Sequence, residues 1–303
     1  MKKEAKPFLK WVGGKKQLLP EIKKYYPFNE KINKYSEPFI GGGAVLFDIL
    51  NTFDLKEIYI SDMNKELVNT YLVIQNSVND LIKELKILES EYIPLDEEKR
   101  KEYYLAKRKE FNELKKTDYN YSIKLATLFI FLNKTCFNGL YRVNSKGEFN
   151  VPSGVYKKPL ICDEENLIVV SEKLRNVKIV CTDYKSCINF VDENTFVYID
   201  PPYRPLNKTS SFTSYNDFDF DDKKQTELAE FSKQLDKTGA KILLSNSNPK
   251  NVDANDNFFE CLYNGFNIKE VMASRMINSK ASGRGKISEL LISNFQKGEI
   301  FCD

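Results

Sequence analysis

Asp200, Pro201, Pro202 and Tyr203 directly follow Thr195-Phe196-Val197-Tyr198-Ile199, and the two halves of that stretch make opposite demands on the backbone. The β-branched and aromatic run predicts a buried strand. The proline pair stops it, because proline has no N–H for the sheet ladder and a fixed φ. A carboxylate, the Pro201 carbonyl and an aromatic ring are thereby held close together at the C-terminal edge of a sheet, where open α/β sheets bind ligands. Two acceptors beside a flat face suit a planar amine: its N–H groups meet Asp200 and the Pro201 carbonyl while its ring stacks on Tyr203. A rigid strand-to-turn junction with a solvated aspartate is the structural alternative.

A second group of residues suits a nucleoside-containing cofactor. Lys34 to Ile40 enters Gly41-Gly42-Gly43 and then the apolar Ala44 to Leu50, a short strand, a glycine turn and a helix start. Backbone N–H groups at such a turn accept anionic groups, and Gly41 and Gly43 allow close approach. Glu57 to Asp62 reads as the next strand, and its terminal Asp62 stands where a carboxylate can take two ribose hydroxyls, or else cap the following helix. Upstream, Trp11-Val12-Gly13-Gly14-Lys15 offers a ring cover and a cation for a carboxylate. It is not a phosphate-binding P-loop, since Leu9 and Lys16 stand where that pattern needs glycine and a hydroxyl residue. Val177 to Asp183 is a further strand ending in an acid, so Asp62, Asp183 and Asp200 close three strands and would ring one pocket.

Between these strands the character changes. Leu67, Val68, Tyr71 and Leu72, then Leu81, Ile82, Leu85 and Leu88, recur at helical spacing; a charged stretch, Asp96 to Lys116, and an apolar helix, Ile123 to Leu132, follow. This block reads as an insertion into the sheet. It closes with Tyr141, Val143, Phe149 and Val151 alternating about Asn144-Ser145-Lys146-Gly147, the signal of a β-hairpin. Arg142 and Asn144 on one hairpin face are the types that read guanine and adenine edges, and Leu140 beside Gly139 could wedge between base steps. After the hairpin the sheet resumes. Lys241 to Asn246 reads as a strand, Asp221 to Leu235 as a crossover helix, and Asn267 to Ala273 with Ile287 to Phe295 as two final antiparallel strands. Lys208 to Tyr215, rich in hydroxyls and aromatics, reads as a loop that closes over a bound base.

Composition narrows the chemistry. The chain of 303 residues has no histidine, which excludes imidazole bases, Ser-His-Asp triads and His-ligated zinc. Its six cysteines, Cys136, Cys162, Cys181, Cys187, Cys261 and Cys302, contain no C-x-x-C pair and read as small packed thiols. No metal is expected. With no run of 18 apolar residues and no apolar segment after Met1 to Lys6, neither a membrane span nor a signal peptide is indicated, and a cytoplasmic location is expected. Net charge is only +3, yet residues 1–34 hold ten lysines against three glutamates, an arm that could follow a phosphate backbone.

Taken in order over nearly the whole chain, Lys10 to Lys15 (Lys-Trp-Val-Gly-Gly-Lys), Glu37 to Gly43 (Glu-Pro-Phe-Ile-Gly-Gly-Gly), Asn138 to Asn144 with Gly147 to Pro152, and Asp200 to Tyr203 resemble the Dam-type, class α, N6-adenine DNA methyltransferases. The hairpin motif is far more specific than Asp-Pro-Pro-Tyr, which also occurs in relatives that methylate RNA. The resemblance implies an α/β fold, a Rossmann-like S-adenosylmethionine-dependent methyltransferase sheet formed by residues 1–64 and 162–303. A mainly helical target-recognition domain, residues 65–161, is inserted into it and carries the β-hairpin. It further implies that Trp11, Lys15, Phe39, Gly41, Asp62 and Asp200, with the glycine turn to Gly43, hold S-adenosylmethionine, and that Asp183 contacts its adenine. Lys10, Asn138, Leu140, Arg142, Asn144 and Pro152 would meet double-stranded DNA, and the hairpin is similar to those of enzymes reading GATC. A restriction endonuclease acting on the same site is the further partner such an enzyme can have. Val12 and Ser153 depart from the family pattern, where alanine and phenylalanine are common.

N6 of adenine is a poor nucleophile because its lone pair is delocalised, so Asp200, Pro201, Pro202 and Tyr203 would act on a base flipped out of the duplex. Two other classes stay open on the residues alone: a methyltransferase of RNA or small molecules, and a non-catalytic, nucleotide-regulated DNA-binding protein. With no histidine and no cysteine cluster, transfer of a labelled methyl group to DNA is expected to persist in EDTA. Strict dependence on a divalent ion would contradict this expectation.

Overall fold

A computed structural model describes residues 3–11, 13–117, 121–204, 220–274 and 286–296. In chain order the elements are α1 (Leu19–Ile22), β1 (Lys34–Glu37), α2 (Ala44–Thr52), β2 (Glu57–Asp62), α3 (Lys65–Tyr92), α4 (Glu97–Lys115), α5 (Ile123–Thr135), α6 (Glu164–Leu174), β3 (Val177–Cys181), β4 (Thr195–Ile199), α7 (Asp222–Asp236), β5 (Lys241–Ser247), α8 (Phe258–Leu262), β6 (Asn267–Ser274) and β7 (Lys286–Ser293). The strands form one seven-stranded sheet in the order β3-β2-β1-β4-β5-β7-β6. The first five are parallel, whereas β7 runs antiparallel to both β5 and β6. This is the mixed α/β sheet of the expected methyltransferase fold.

Connections leave in opposite directions on the two sides of the β1–β4 pair, and such a switch point opens a crevice at the C-terminal strand ends. Every residue of β4 is buried. Phe196 and Tyr198 join the apolar cluster under α2, α3, α5 and α6, while Val197 and Ile199 join the one under α7 and α8. A strand covered on both faces needs an unbroken apolar run, which is what Thr195 to Ile199 supplies. Ile199 lies opposite Leu244 of β5, so Asp200 and Ser245 leave neighbouring strands at the same level.

The inserted block is helical, as expected, and its helix starts are set by short polar side chains. Asn64, Asp96 and Ser122 accept the backbone N–H of Leu67, Lys99 and Leu125, each satisfying one of the orphan donors of a helix N-terminus. α3 bends at Ser77, whose φ of −144° is not helical. In α5 the run Leu125 to Asn133 is buried on every side, because α3 and α4 flank it. The hairpin is thinner than expected. Its turn forms, with Gly147 N–H on the Asn144 carbonyl at 2.9 Å, but the ladder is reduced to the single bridge Val143–Phe149. Phe149 and Val151 are drawn into the core; the bridge is flanked by the Asn144 N–H on the Glu148 carbonyl and the Asn150 N–H on the Arg142 carbonyl, and Asn112 of α4 holds both backbone groups of Phe149 on the side away from the partner strand. The thiols also differ from expectation in part: Cys136, Cys162 and Cys187 are buried, but Cys181 and Cys261 are exposed, while Cys302 lies outside the described residues. Cys181 is the last residue of the edge strand β3, which pairs with β2 on one side only.

The helical block and the sheet share one apolar cluster, running from Phe111 and Phe131 through Tyr71 and Phe47 to Tyr35 and Phe196. Phe131 meets Tyr92 and Tyr103 edge-on, at ring separations of 5.3 and 5.8 Å. Phe131→Ala is expected to cost about 3–5 kcal/mol through lost burial and a residual cavity. Urea unfolding followed by fluorescence and far-ultraviolet dichroism should show one transition at a lower midpoint. Two separated transitions would mean that the helical block melts on its own.

Candidate functional site

Asp200 emerges from β4 with its two oxygens in different circumstances. Oδ1 accepts from the Lys15 ammonium at 2.7 Å and the Ser245 hydroxyl at 2.9 Å. Among the described residues no donor meets Oδ2, and the side chain is 21% exposed. Burial holds the carboxyl above the usual carboxylate range, against the pull of Lys15 and Ser245 toward the ionised form. Lys15 is 6% exposed, donates also to the Gly13 carbonyl at 2.9 Å, and lies 4.5 Å from the centre of the Tyr203 ring. The Tyr203 phenol, kept neutral by burial and by Asp200 and Glu289, donates to Glu289 of β7. Behind this group Glu37, at the end of β1, takes the Tyr35 hydroxyl at 2.7 Å and is pushed well up by burial.

The glycine turn adjoins this site. Gly41 and Gly43 have φ of +46° and +71°, and a Cβ on Gly43 would stand 2.5 Å from the Tyr71 hydroxyl. Trp11 lies across the turn, so close that a Cβ on Gly41 would meet the indole at 3.0 Å. The Gly41 N–H donates to Asp62 Oδ2 at 3.1 Å and the Asn64 N–H to Oδ1 at 2.9 Å, while the Tyr71 hydroxyl donates to the Gly41 carbonyl. Burial raises the Asp62 carboxyl, and those backbone donors oppose the rise. Phe39 stacks on Tyr184 with ring centres 5.1 Å apart, and Phe220 meets it edge-on. Asp183 is exposed and caps the one-turn helix Tyr184–Asn189 by accepting the Lys185 N–H at 2.8 Å. The C-terminal ends of β1, β2 and β4 thus bring Trp11, Lys15, Phe39, Gly41, Gly43, Asp62 and Asp200 to one edge of the sheet.

Beside that edge lies a surface built from the end of α5 and the residues after it. The Asn133 side chain accepts the Lys10 N–H and donates to the carbonyls of Lys10 and Gly139, fixing the N-terminal segment against the turn. Asn138 is exposed with φ +56°, and its N–H donates to the Tyr156 hydroxyl at 3.1 Å. The Lys10 ammonium lies 4.5 Å above the Tyr156 ring. Pro152 is exposed, and its carbonyl accepts the Phe137 N–H. Leu140, by contrast, packs against the apolar cluster, and the exposed apolar side chain here is Phe137, at 52%. Arg142 is exposed and donates through Nε to Asn150 at 2.8 Å, which leaves the outer edge of its guanidinium free of that bond. Asn144 turns inward: its oxygen takes the N–H groups of Lys146 and Glu148 and its amide donates to Glu148.

The basic arm is less available than its charge suggests. Lys3, Lys15, Lys23, Lys24 and Lys34 are each paired with a carboxylate, those of Glu165, Asp200, Asp48, Glu21 and Asp192 respectively. For Lys3, Lys15 and Lys34 the pairing is tertiary, since Glu165, Asp200 and Asp192 are more than a hundred residues away, whereas Lys24 takes a carboxylate of its own helical turn. The residues 208–215, expected as a closing loop, and Val12 lie outside the described residues. Several contributors escape the motif reading: Ser245, Glu289, Tyr184 and Tyr156. For Ser245 the signal was present, because Ser245-Asn246-Ser247 ends an apolar strand with polar residues as Asp200 ends β4.

Comparison with known proteins agrees with this geometry. The family model described as D12 class N6 adenine-specific DNA methyltransferase matches residues 11–277. Type II methyltransferase M.MjaIII of Methanocaldococcus jannaschii is 55% identical over 296 residues, 96% of this chain and 100% of that protein. Type II methyltransferase M1.LlaDCHI of Lactococcus lactis subsp. cremoris is 39% identical over 292 residues, 96% and 95% of the two chains. The DNA adenine methylase of Haemophilus influenzae is 34% identical over 291 residues, covering 96% and 94%. With its Asp-Pro-Pro-Tyr segment and glycine turn on one sheet edge, the hairpin beside them and residues 11–277 matched by the family model, the chain belongs to the D12 class of N6 adenine-specific DNA methyltransferases.

Proposed function

We propose that this enzyme transfers a methyl group from S-adenosylmethionine to N6 of an adenine turned out of double-stranded DNA, within GATC. The observation that carries the reading is the contact between Lys15 and Asp200 at 2.7 Å, which makes the Trp11–Lys15 loop and the Asp-Pro-Pro-Tyr segment parts of one site. The donor fits the residues present. Lys15 matches its carboxylate, Asp62 its ribose hydroxyls, the turn at Gly41 and Gly43 allows backbone contact, Trp11 covers it, and Phe39 beside Tyr184, with Asp183, supplies a place for its adenine ring. When bound, it supplies a methyl group already activated by a sulfonium charge.

The chain's own residues have the harder task, at the amine. Asp200 and the Pro201 carbonyl accept the two N6 hydrogens, drawing the lone pair out of conjugation and aiming it at the methyl group, and Tyr203 stacks on the base. Fixing the nitrogen in line with its target supplies much of the remaining acceleration. Pro202 contributes by rigidity. In this reading residues 65–161 form the target-recognition domain, residues 1–64 and 162–303 the catalytic one. Lys10, Asn138, Leu140, Arg142, Asn144 and Pro152 then meet the DNA, with Arg142 on a guanine edge. Support for GATC is the Asn138 to Asn144 motif and its similarity to hairpins of GATC readers. A restriction endonuclease sharing the target and a cytoplasmic location belong to the same reading.

Two outcomes check it. Asp200→Ala should fold, judged by circular dichroism, yet give less than about a tenth of the wild-type methylation rate at saturating donor and DNA. A higher residual rate would leave the residue less than about 1.4 kcal/mol of barrier lowering and remove it from the chemistry. Arg142→Ala should cost roughly 1–3 kcal/mol on the intact site and relax selection at one base pair. The measurement is methyl transfer to duplexes carrying single substitutions in GATC at fixed salt. Equal loss on every duplex would make Arg142 a backbone contact.

A further inference from the structure

Consecutive prolines create a difficulty at the catalytic segment: Pro201 and Pro202 bring no N–H groups, so neighbours can hold that backbone only through its carbonyls and flanking residues. The polar end of β5 does this. The Ser245 hydroxyl donates to Asp200 Oδ1 at 2.9 Å and shares a second hydrogen bond with the Tyr198 hydroxyl at 3.0 Å. Asn246, fully buried, accepts the Arg204 N–H and donates at 3.0 Å to Gln225 of α7, whose own amide donates to the Pro202 carbonyl at 3.1 Å. The Ser247 hydroxyl donates to the Arg204 carbonyl at 3.1 Å, and the Arg204 guanidinium is clamped by Asp222 and Asp256 at 2.6 Å each. The carbonyls of Pro202 and Arg204 and the Arg204 N–H are thereby met by side chains from β5 or α7.

We propose that Ser245 is a positioning residue for methyl transfer: with Lys15 it occupies one oxygen of Asp200, so that the carboxylate is held in a single rotamer with Oδ2 presented to the N6 amine. The inference rests on the role assigned above to Asp200. The hydroxyl does not touch the reacting atoms and acts through the carboxylate. At 2.9 Å the contact is an O–H···O bond of ordinary length, and its acceptor is a carboxylate, so its removal is felt more than that of a bond between neutral groups. Donation to a carboxylate also favours its ionised form. The other groups facing Asp200 are Lys15 from the N-terminal loop, Glu37 of β1, Tyr198 of β4 and Tyr203; of these only Tyr198 is itself bonded to Ser245, and losing that bond leaves its phenol neutral. Without the hydroxyl the carboxyl therefore protonates at higher pH, and the acceptor is lost sooner as pH falls.

The experiment compares wild type with Ser245→Ala, Ser245→Thr and Ser245→Val. The readouts are the turnover rate with saturating DNA and S-adenosylmethionine from pH 5 to 9, donor affinity by calorimetry, and thermal denaturation. Threonine and valine are near-isosteric and differ by the hydroxyl, so any packing disturbance is common to both. Expected for Ala and Val are a kcat about tenfold or more below wild type, donor affinity within about twofold of it, and an acid limb moved to higher pH. Thr should retain most of the rate and the wild-type limb. Equal rates for all four proteins, or equal losses for Thr and Val with an unmoved limb, would overturn the positioning role. Should wild type transfer no methyl group to adenine in any duplex, the functional reading itself would fail, an outcome distinct from either.

Discussion

The ion pair between Lys15 and Asp200 is the contact on which the rest of the site depends. Both partners are largely withdrawn from water, and an aspartate in such a place would stay protonated without a cation and a donor beside it. Removing one member of a buried pair leaves the other uncompensated, at a cost of about 3–5 kcal/mol. The pair is also a tether. It draws the segment around Trp11 over the ends of β1 and β4, lays the indole across Gly41, and sets the Lys15 ammonium against the Tyr203 ring. A carboxylate that would bind an amine is therefore assembled from three stretches of chain.

A second network ties the recognition surface to that assembly. Tyr141 stacks on Trp11 with ring centres 5.9 Å apart and planes 18° from parallel, and its hydroxyl donates to Glu66 at the start of α3. Lys115 of α4 pairs with the same Glu66, with both side chains 12% exposed, and donates to the Gly147 carbonyl in the hairpin turn. The hairpin is accordingly braced by helices more than by its own ladder, which explains how a single bridge suffices. Trp11 touches both the glycine turn and Tyr141, so the turn and the hairpin share a wall.

Electrostatics on this molecule are local. The overall charge is close to neutral, and many lysines of the N-terminal arm are spent on tertiary ion pairs. Exposed pairs such as Lys3 with Glu165 contribute little to stability. Their effect is instead to cancel charge along the arm that would otherwise attract anions.

The strand ending at Asp200, the glycine turn, the helical insertion and the polarity of the sheet were all legible in the sequence, because each is written in local periodicity and in residues that permit few backbone conformations. β4 is found at the residues expected, and α7 starts one residue after the expected Asp221, which serves as its cap. Three matters were decided only by tertiary structure. Which oxygen of Asp200 is occupied depends on Lys15 and Ser245, residues that reach it from far along the chain. Whether Lys3 and Lys34 of the arm are free depends on carboxylates equally remote. The hairpin's alternation was read correctly as one buried face, yet the outward backbone groups of Phe149 are met by a side chain of α4, Asn112, 37 residues away. Local sequence constrains torsions and the face a side chain takes, whereas the partner of a polar group is settled by which distant donor folding brings within about 3 Å.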